Sequence, residues 1–175
     1  MLVLILILLI LVILLFLLSM LWPPDSPWSP WWRTTPTLAR LECKLAKIKK
    51  GDIIYDLGSG EGTALIIAAK EFGATGVGIE IDPFRAWYAK LAVWLAGVAD
   101  KVIIRRENFF TVDISKATVV FLYLTPRALV GLREKFFKEL RPGTRVVTFV
   151  YQMDLPLYAK DDKAEMYVYE IPKRK

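Results

Sequence analysis

Ile53-Ile54-Tyr55-Asp56-Leu57-Gly58-Ser59-Gly60-Glu61-Gly62 is the stretch that decides the fold. A short run of β-formers breaks into glycines on alternate residues, and Thr63 to Lys70 follows with helical composition, so the segment reads as strand, tight turn and helix. Such a turn belongs to a nucleotide cofactor, because glycine lets the backbone approach the ligand and supplies φ > 0 where the turn needs it. The dinucleotide fingerprint is G-x-G-x-x-G, whereas the spacing here is G-x-G-x-G. Carboxylates stand before and inside the turn, at Asp56 and Glu61, where they would repel a pyrophosphate. S-adenosylmethionine carries no phosphate and presents an ammonium and a sulfonium, which acids attract. A second strand, Thr75-Gly76-Val77-Gly78-Ile79, ends in Glu80, at roughly the 20-residue distance from which a carboxylate can accept hydrogen bonds from ribose hydroxyls. The alternative on the same fold is a nucleotide-sugar or NAD site.

Apolar content is unevenly spread. Leu2 to Trp22 contains no charged residue and would reach about 31 Å as a helix, the thickness of a bilayer core, so it reads as an uncleaved membrane span. The rival, a signal peptide, lacks its basic leader and small-residue cleavage site. The net charge of +6 belongs to the rest of the chain, and Arg33, Arg40, Lys44, Lys47, Lys49 and Lys50 follow the span, which by the positive-inside rule places the domain on the cytoplasmic side. Cys43 is the single cysteine, so no intramolecular disulfide forms. The count of histidines is 0, which excludes a Ser-His-Asp triad and a His-ligated zinc, and no metal is expected.

Residues 23–34 are rich in proline and tryptophan, a stiff spacer whose Trp28, Trp31 and Trp32, with Trp22, suit a headgroup-level belt. Thr35-Pro36 starts a helix in which Leu38, Leu41, Leu45 and Ile48 form the expected buried stripe, with Cys43 off it. Asp82-Pro83 starts another, whose Phe84, Trp87, Tyr88, Leu91, Trp94 and Leu95 are expected in the core. Val102 to Ile104, Thr118 to Leu124, Thr144 to Tyr151 and Glu165 to Glu170 read as further strands, the second of them central and buried on both faces, with a charged turn at Lys160 to Lys163. Asn108 has the amide geometry to pair with adenine, and Phe109 can stack on it. Ligands of doubly wound sheets collect beyond the strand carboxyl ends, so Tyr123, Leu124 and Thr125 are the reaction-centre candidates. The Asn or Asp with Pro-Pro-aromatic used on exocyclic base amines is missing there, which disfavours a base substrate.

Thr35-Pro36, Asp56 to Gly62, Glu80-Ile81-Asp82-Pro83, Asn108 to Ile114 and Leu140 to Val147 together resemble a family of seven-β-strand protein-lysine methyltransferases that includes archaeal broad-specificity enzymes and mitochondrial membrane-anchored ones. The resemblance implies an α/β, doubly wound, Rossmann-like sheet of seven strands, here preceded by one transmembrane helix. The chain then divides into an anchor at 1–22, a juxtamembrane linker at 23–34 and a methyltransferase domain at 35–175. It also implies that Asp56, Gly58, Gly60, Glu80 and Asn108 bind S-adenosylmethionine, with Thr35 near its methionine end; Ser59, Glu61, Ile81 and Phe109 complete the expected contacts, and Tyr123 and Thr125 orient the acceptor. The expected reaction is methylation of a lysine ε-amine on a membrane-associated protein, the bilayer being contacted through residues 2–22. Methylation of a lipid or small amphiphile, methylation of RNA, and a silent cofactor-binding module are the alternatives. Nucleic acid is disfavoured because the basic residues are interspersed with acids.

Overall fold

A computed structural model describes residues 1–21 and 33–173, without the side chains of 19–21. The linker expected at 23–34 therefore lies outside the described residues except at its end, as do Trp22, Trp28, Trp31, Trp32, Arg174 and Lys175. Among the described residues five helices form: α1 (Leu2–Leu21), α2 (Pro36–Leu45), α3 (Thr63–Glu71), α4 (Pro83–Leu95) and α5 (Pro126–Glu139). The strands are β1 (Ile53–Leu57), β2 (Thr75–Ile79), β3 (Val102–Arg105), β4 (Val119–Leu122), β5 (Arg145–Phe149), β6 (Leu157–Asp161) and β7 (Met166–Glu170).

They make one seven-stranded sheet in the order β3-β2-β1-β4-β5-β7-β6. The first five in that order run parallel, and β7 runs antiparallel to both of its neighbours, β5 and β6. The order reverses between β1 and β4, so their carboxyl ends open a crevice where a doubly wound sheet receives its ligand. All four residues of β4 are buried, as its unbroken apolar run requires in a central parallel strand. One core cluster joins α2, α3 and α4 to one face of the sheet, and a second joins α5 to the other.

The expectation of a membrane span is not upheld. The N-terminal helix forms over Leu2–Leu21. Among the described residues no helix is long and apolar enough to cross a membrane. The single-pass placement, the cytoplasmic assignment and the bilayer contact through residues 2–22 fall with it.

Three packing expectations are also corrected. In α2 the buried residues are Ala39, Glu42 and Cys43, while Leu38, Leu41 and Leu45 are only half-buried. In α4 the buried face is Arg85, Ala86, Ala89 and Val93, and the large side chains point outward, Trp87 being 57% and Trp94 67% exposed. Close approach explains this: a Cβ built on Gly62 would lie 3.7 Å from Ala89 and 3.8 Å from Val93, leaving no room for a ring between helix and loop. Finally, β6 occupies Leu157–Asp161, overlapping the start of the turn expected at Lys160 to Lys163. It is an edge strand with a register shift between Leu157 and Ala159 and mostly exposed side chains, so it carries no clean period-2 signal.

A buried polar clamp fixes α2 against the sheet. Arg145, opening β5, donates to the Ala46 and Lys47 carbonyls just past α2, and pairs with Asp52 at 2.7 Å. Asp52 accepts from Thr118 Oγ1 at 2.8 Å and from the Lys49 N–H at 2.9 Å. Three elements distant in sequence thus meet at one carboxylate.

Candidate active site

The glycine turn is folded back onto the end of β2. The N–H groups of Gly58 and Ser59 both donate to the Ile79 carbonyl, at 2.8 and 3.0 Å, and Gly62 N–H donates to Ser59 O at 2.8 Å. Gly58 has φ +94, where a side chain is strained, and an added Cβ would press to 3.3 Å of Leu124. Gly78 is required for space: its Cβ would lie 2.7 Å from Ser59 Oγ and 2.6 Å from Ile104 Cδ1.

Glu80 locks this turn to the next helix. Its carboxylate accepts from Gly60 N–H and Asp82 N–H, both at 3.0 Å, and Asp82 in turn caps α4 by accepting from Arg85 N–H at 2.7 Å. Each Glu80 oxygen keeps a second lone pair, so a ribose diol can still be received. Burial pushes the Glu80 carboxyl above its usual range, against the lowering effect of those backbone donors and of Arg85.

Asp56, at the carboxyl end of β1, is buried, and burial with Glu80 nearby pushes it from 3.8 to about 7. Behind it stands Glu42 of α2, only 2% exposed, and held well above the usual carboxylate range by burial and by Asp56. Glu61 is paired with Arg33 at 2.9 Å near the surface. Tyr123, just past β4, stacks on Phe149 with ring centroids 5.1 Å apart and planes at 27°; burial raises its hydroxyl, with Glu165 and Tyr151 adding to the effect.

One cavity brings together Asp56, Gly58, Ser59, Gly60, Glu61, Glu80, Ile81, Phe109 and Tyr123 from the expected set. Thr35, Asn108 and Thr125 are not among its lining residues. Thr35 instead caps α2, its Oγ1 accepting from Leu38 N–H at 3.3 Å. Asn108 Oδ1 accepts from Phe110 N–H at 2.9 Å in a local turn, and Thr125 is the N-cap residue of α5. Glu42, Arg85, Phe149 and Arg33 line the cavity and were not anticipated. For Glu42 a signal existed: with Ala39, Cys43 and Ala46 it forms a stripe of mostly small residues at helical spacing.

The lining suits a cationic cofactor better than a phosphorylated one. Glu42, Asp56, Glu61 and Glu80 face it, against Arg33 and Arg85. Ser59 Oγ, buried on the same wall, has no hydrogen-bond partner among the described residues. An orphan of that kind costs about 1–3 kcal/mol, which a polar ligand atom would offset.

A family model described as the ANTKMT methyltransferase domain matches residues 56–156. The chain belongs to that family. A protein-lysine N-methyltransferase of Saccharolobus islandicus (strain REY15A) is 40% identical over 121 residues, 69% of this chain and 75% of that protein. The adenine nucleotide translocase lysine N-methyltransferase of Mus musculus is 34% identical over 96 residues, 54% of this chain and 42% of that protein. The chain thus spans three quarters of the archaeal relative and under half of the mouse one. Among solved structures, an RNA methyltransferase from Salinibacter ruber in complex with S-adenosyl-L-homocysteine is 39% identical, with TM-score 0.77 over 82% of this chain and 96% of that one. A SAM-dependent methyltransferase from Geobacter sulfurreducens, also with S-adenosyl-L-homocysteine, is 28% identical with TM-score 0.59, over 65% of this chain and 47% of that one. This methyltransferase domain uses S-adenosylmethionine, and its seven-stranded sheet is the one the glycine turn implied.

Proposed function

We propose that the chain is a protein-lysine N-methyltransferase acting on membrane-associated proteins. The observation that carries this is the 40% identity to the archaeal protein-lysine enzyme across most of both chains. The membrane-associated part of the reading is supported by the exposed apolar side chains of α1 and of α4, where Phe16 meets Phe84 edge-on at 5.3 Å.

Glu80 takes the ribose, Phe109 takes the adenine end, and Asp56, Gly58, Ser59, Gly60, Glu61 and Ile81 hold the remainder; Asn108 and Thr35, outside the lining, act from their local turn and cap. When bound, S-adenosylmethionine would supply an electrophilic methyl group, on which a neutral amine forms its new C–N bond as the C–S bond breaks, with the thioether leaving and a proton passing to solvent. A free lysine, with pKa ~10.4, is almost wholly protonated at pH 7, so the site must favour the neutral amine. The walls available for this are Leu122, Tyr123, Leu124 and Phe149, whose apolar surface disfavours an ammonium. The Tyr123 hydroxyl stays protonated near neutral pH, so it can accept from or donate to the incoming amine while Phe149 holds its ring. Thr125, at the N-cap of α5 and outside the cavity lining, is given no contact with the amine. The contribution of these groups is positioning, which can be worth several orders of magnitude in rate.

The test is incubation of the purified full chain with radiolabelled methyl donor and a cell extract containing membranes. Label in protein that hydrolyses to methyl-lysine is the expected result. The name of the Salinibacter relative makes RNA the specific competitor; label in RNA or in the lipid phase overturns the reading, and cofactor binding with no label anywhere identifies a silent module.

A further inference from the structure

Three buried carboxylates, Glu42, Asp56 and Glu80, line one cavity. They also influence one another: burial and Asp56 raise Glu42, and burial and Glu80 raise Asp56. Only Glu80 is tied down by two backbone donors. The cofactor has matching polarity, with its ribose diol at one end and its ammonium at the other. With the diol on Glu80, Asp56 and Glu42 are the other buried carboxylates of the cavity available to the ammonium. Ser59, on the same wall, holds a buried hydroxyl without a partner among the described residues.

We propose that Glu42 and Asp56 form a single receptor for the ammonium of the cofactor, sharing a proton in the free protein and releasing it to solvent when the ammonium enters. The step balances: a carboxylic O–H breaks, its proton passes to buffer, and the pair goes from one negative charge to two as one positive charge arrives. The groups facing the pair are Glu80 from the end of β2, Arg85 from α4, Tyr123 beyond β4, and Glu61 with Arg33 at the rim. On α2 and α3, Arg40 and Glu71 are paired with each other at the surface, at 2.8 Å. Glu61 is paired with Arg33 and Glu80 accepts from two backbone N–H groups, whereas burial raises Glu42 and Asp56 with no such donor among the described residues, so the proton is assigned to these two. Like charges confined together share protons as a pair, so the release belongs to both residues.

This rests on S-adenosylmethionine as the cofactor and is independent of the methyl acceptor, because the test contains none. Titration calorimetry of the full chain with S-adenosylhomocysteine at pH 6.5, in buffers of different ionisation enthalpy, is expected to show about one proton released per ligand bound. Affinity should rise roughly tenfold per pH unit below pH 7, the slope that linkage gives for one proton. 5′-Methylthioadenosine, which keeps the nucleoside and thioether but lacks the ammonium, should bind without release. Glu42→Gln should lose most of the release, flatten the pH slope, and bind about tenfold more weakly at pH 8. An equal proton count with the two ligands, or an unchanged count in Glu42→Gln, overturns the proposal. Should the variant lack a cooperative melt, the comparison of the two ligands on the wild-type chain decides alone. Failure of S-adenosylhomocysteine to bind at all would refute the cofactor assignment itself.

Discussion

Asp56→Asn should make the ligand-free protein more stable at neutral pH while weakening its grip on the cofactor. The Asp56 carboxyl is raised from 3.8 to about 7 by burial first and by Glu80 second. Because the folded state holds this proton more tightly than the unfolded chain, the associated stability is fully present below pH 3.8 and is lost as pH rises to about 7. About three pH units at ~1.36 kcal/mol each give about 4 kcal/mol lost across that window. Asparagine mimics the protonated acid and cannot lose it. The difference in unfolding free energy between variant and wild type should therefore be small at pH 4.5 and approach about 4 kcal/mol in favour of the variant at pH 8. Urea unfolding of the full chain without ligand, in the same mild detergent at both pH values, measures this, and the difference between the two proteins cancels the titrating groups that do not interact with Asp56. A difference that changes by less than about 1 kcal/mol between the two pH values would refute the argument that Asp56 is held charged against its environment. Added S-adenosylhomocysteine should stabilise wild type more than the variant.

Gly78→Ala should cost about 1–3 kcal/mol, since the new Cβ lies 2.6 Å from Ile104 Cδ1 and 2.9 Å from Ser59 Cβ; because Ser59 must move, cofactor affinity should fall with the melting temperature. Arg145→Met strips the partner from Asp52, a pair whose side chains are 14% and 5% exposed, and should destabilise by roughly 3–5 kcal/mol in denaturant titrations. Tyr123→Phe should leave the dissociation constant of S-adenosylhomocysteine unchanged and lower kcat roughly tenfold, the value of one orienting hydrogen bond; equal losses in both would place the hydroxyl in cofactor binding instead.

The half of the site made by contiguous sequence was legible in it. β1, its glycine turn and α3 announce themselves by a change of period, Asp82-Pro83 by cap chemistry, and Glu80 by its place at the end of β2. What escaped was made by packing. Arg145 and Asp52 meet only after the sheet forms, and neither residue is unusual in its own neighbourhood. The aromatics of α4 show the limit of reading a helical stripe as core: the period was right, but the sheet side of the helix was chosen by the small residues that allow close approach to Gly62. For α1, composition alone carried the expectation of a span, and among the described residues no helix is long and apolar enough to cross a membrane.

Glu42 joins both halves of this account. A charged residue is buried when something holds it there, and here the holding is done at a distance. Arg145 grips the carbonyls beyond α2, which fixes the helix axis, and Ala39, Cys43 and Ala46 let it lie flat on the core. With those contacts satisfied, Glu42 has nowhere to go but the cavity, beside Asp56. Relaxing the clamp should therefore let Glu42 reach water without touching the glycine turn. If Arg145→Met is folded at low temperature yet keeps the full proton release of wild type on binding S-adenosylhomocysteine, the position of Glu42 does not depend on the clamp. If the release falls while 5′-methylthioadenosine binds as before, the clamp at the base of the sheet sets the charge of the site at its top.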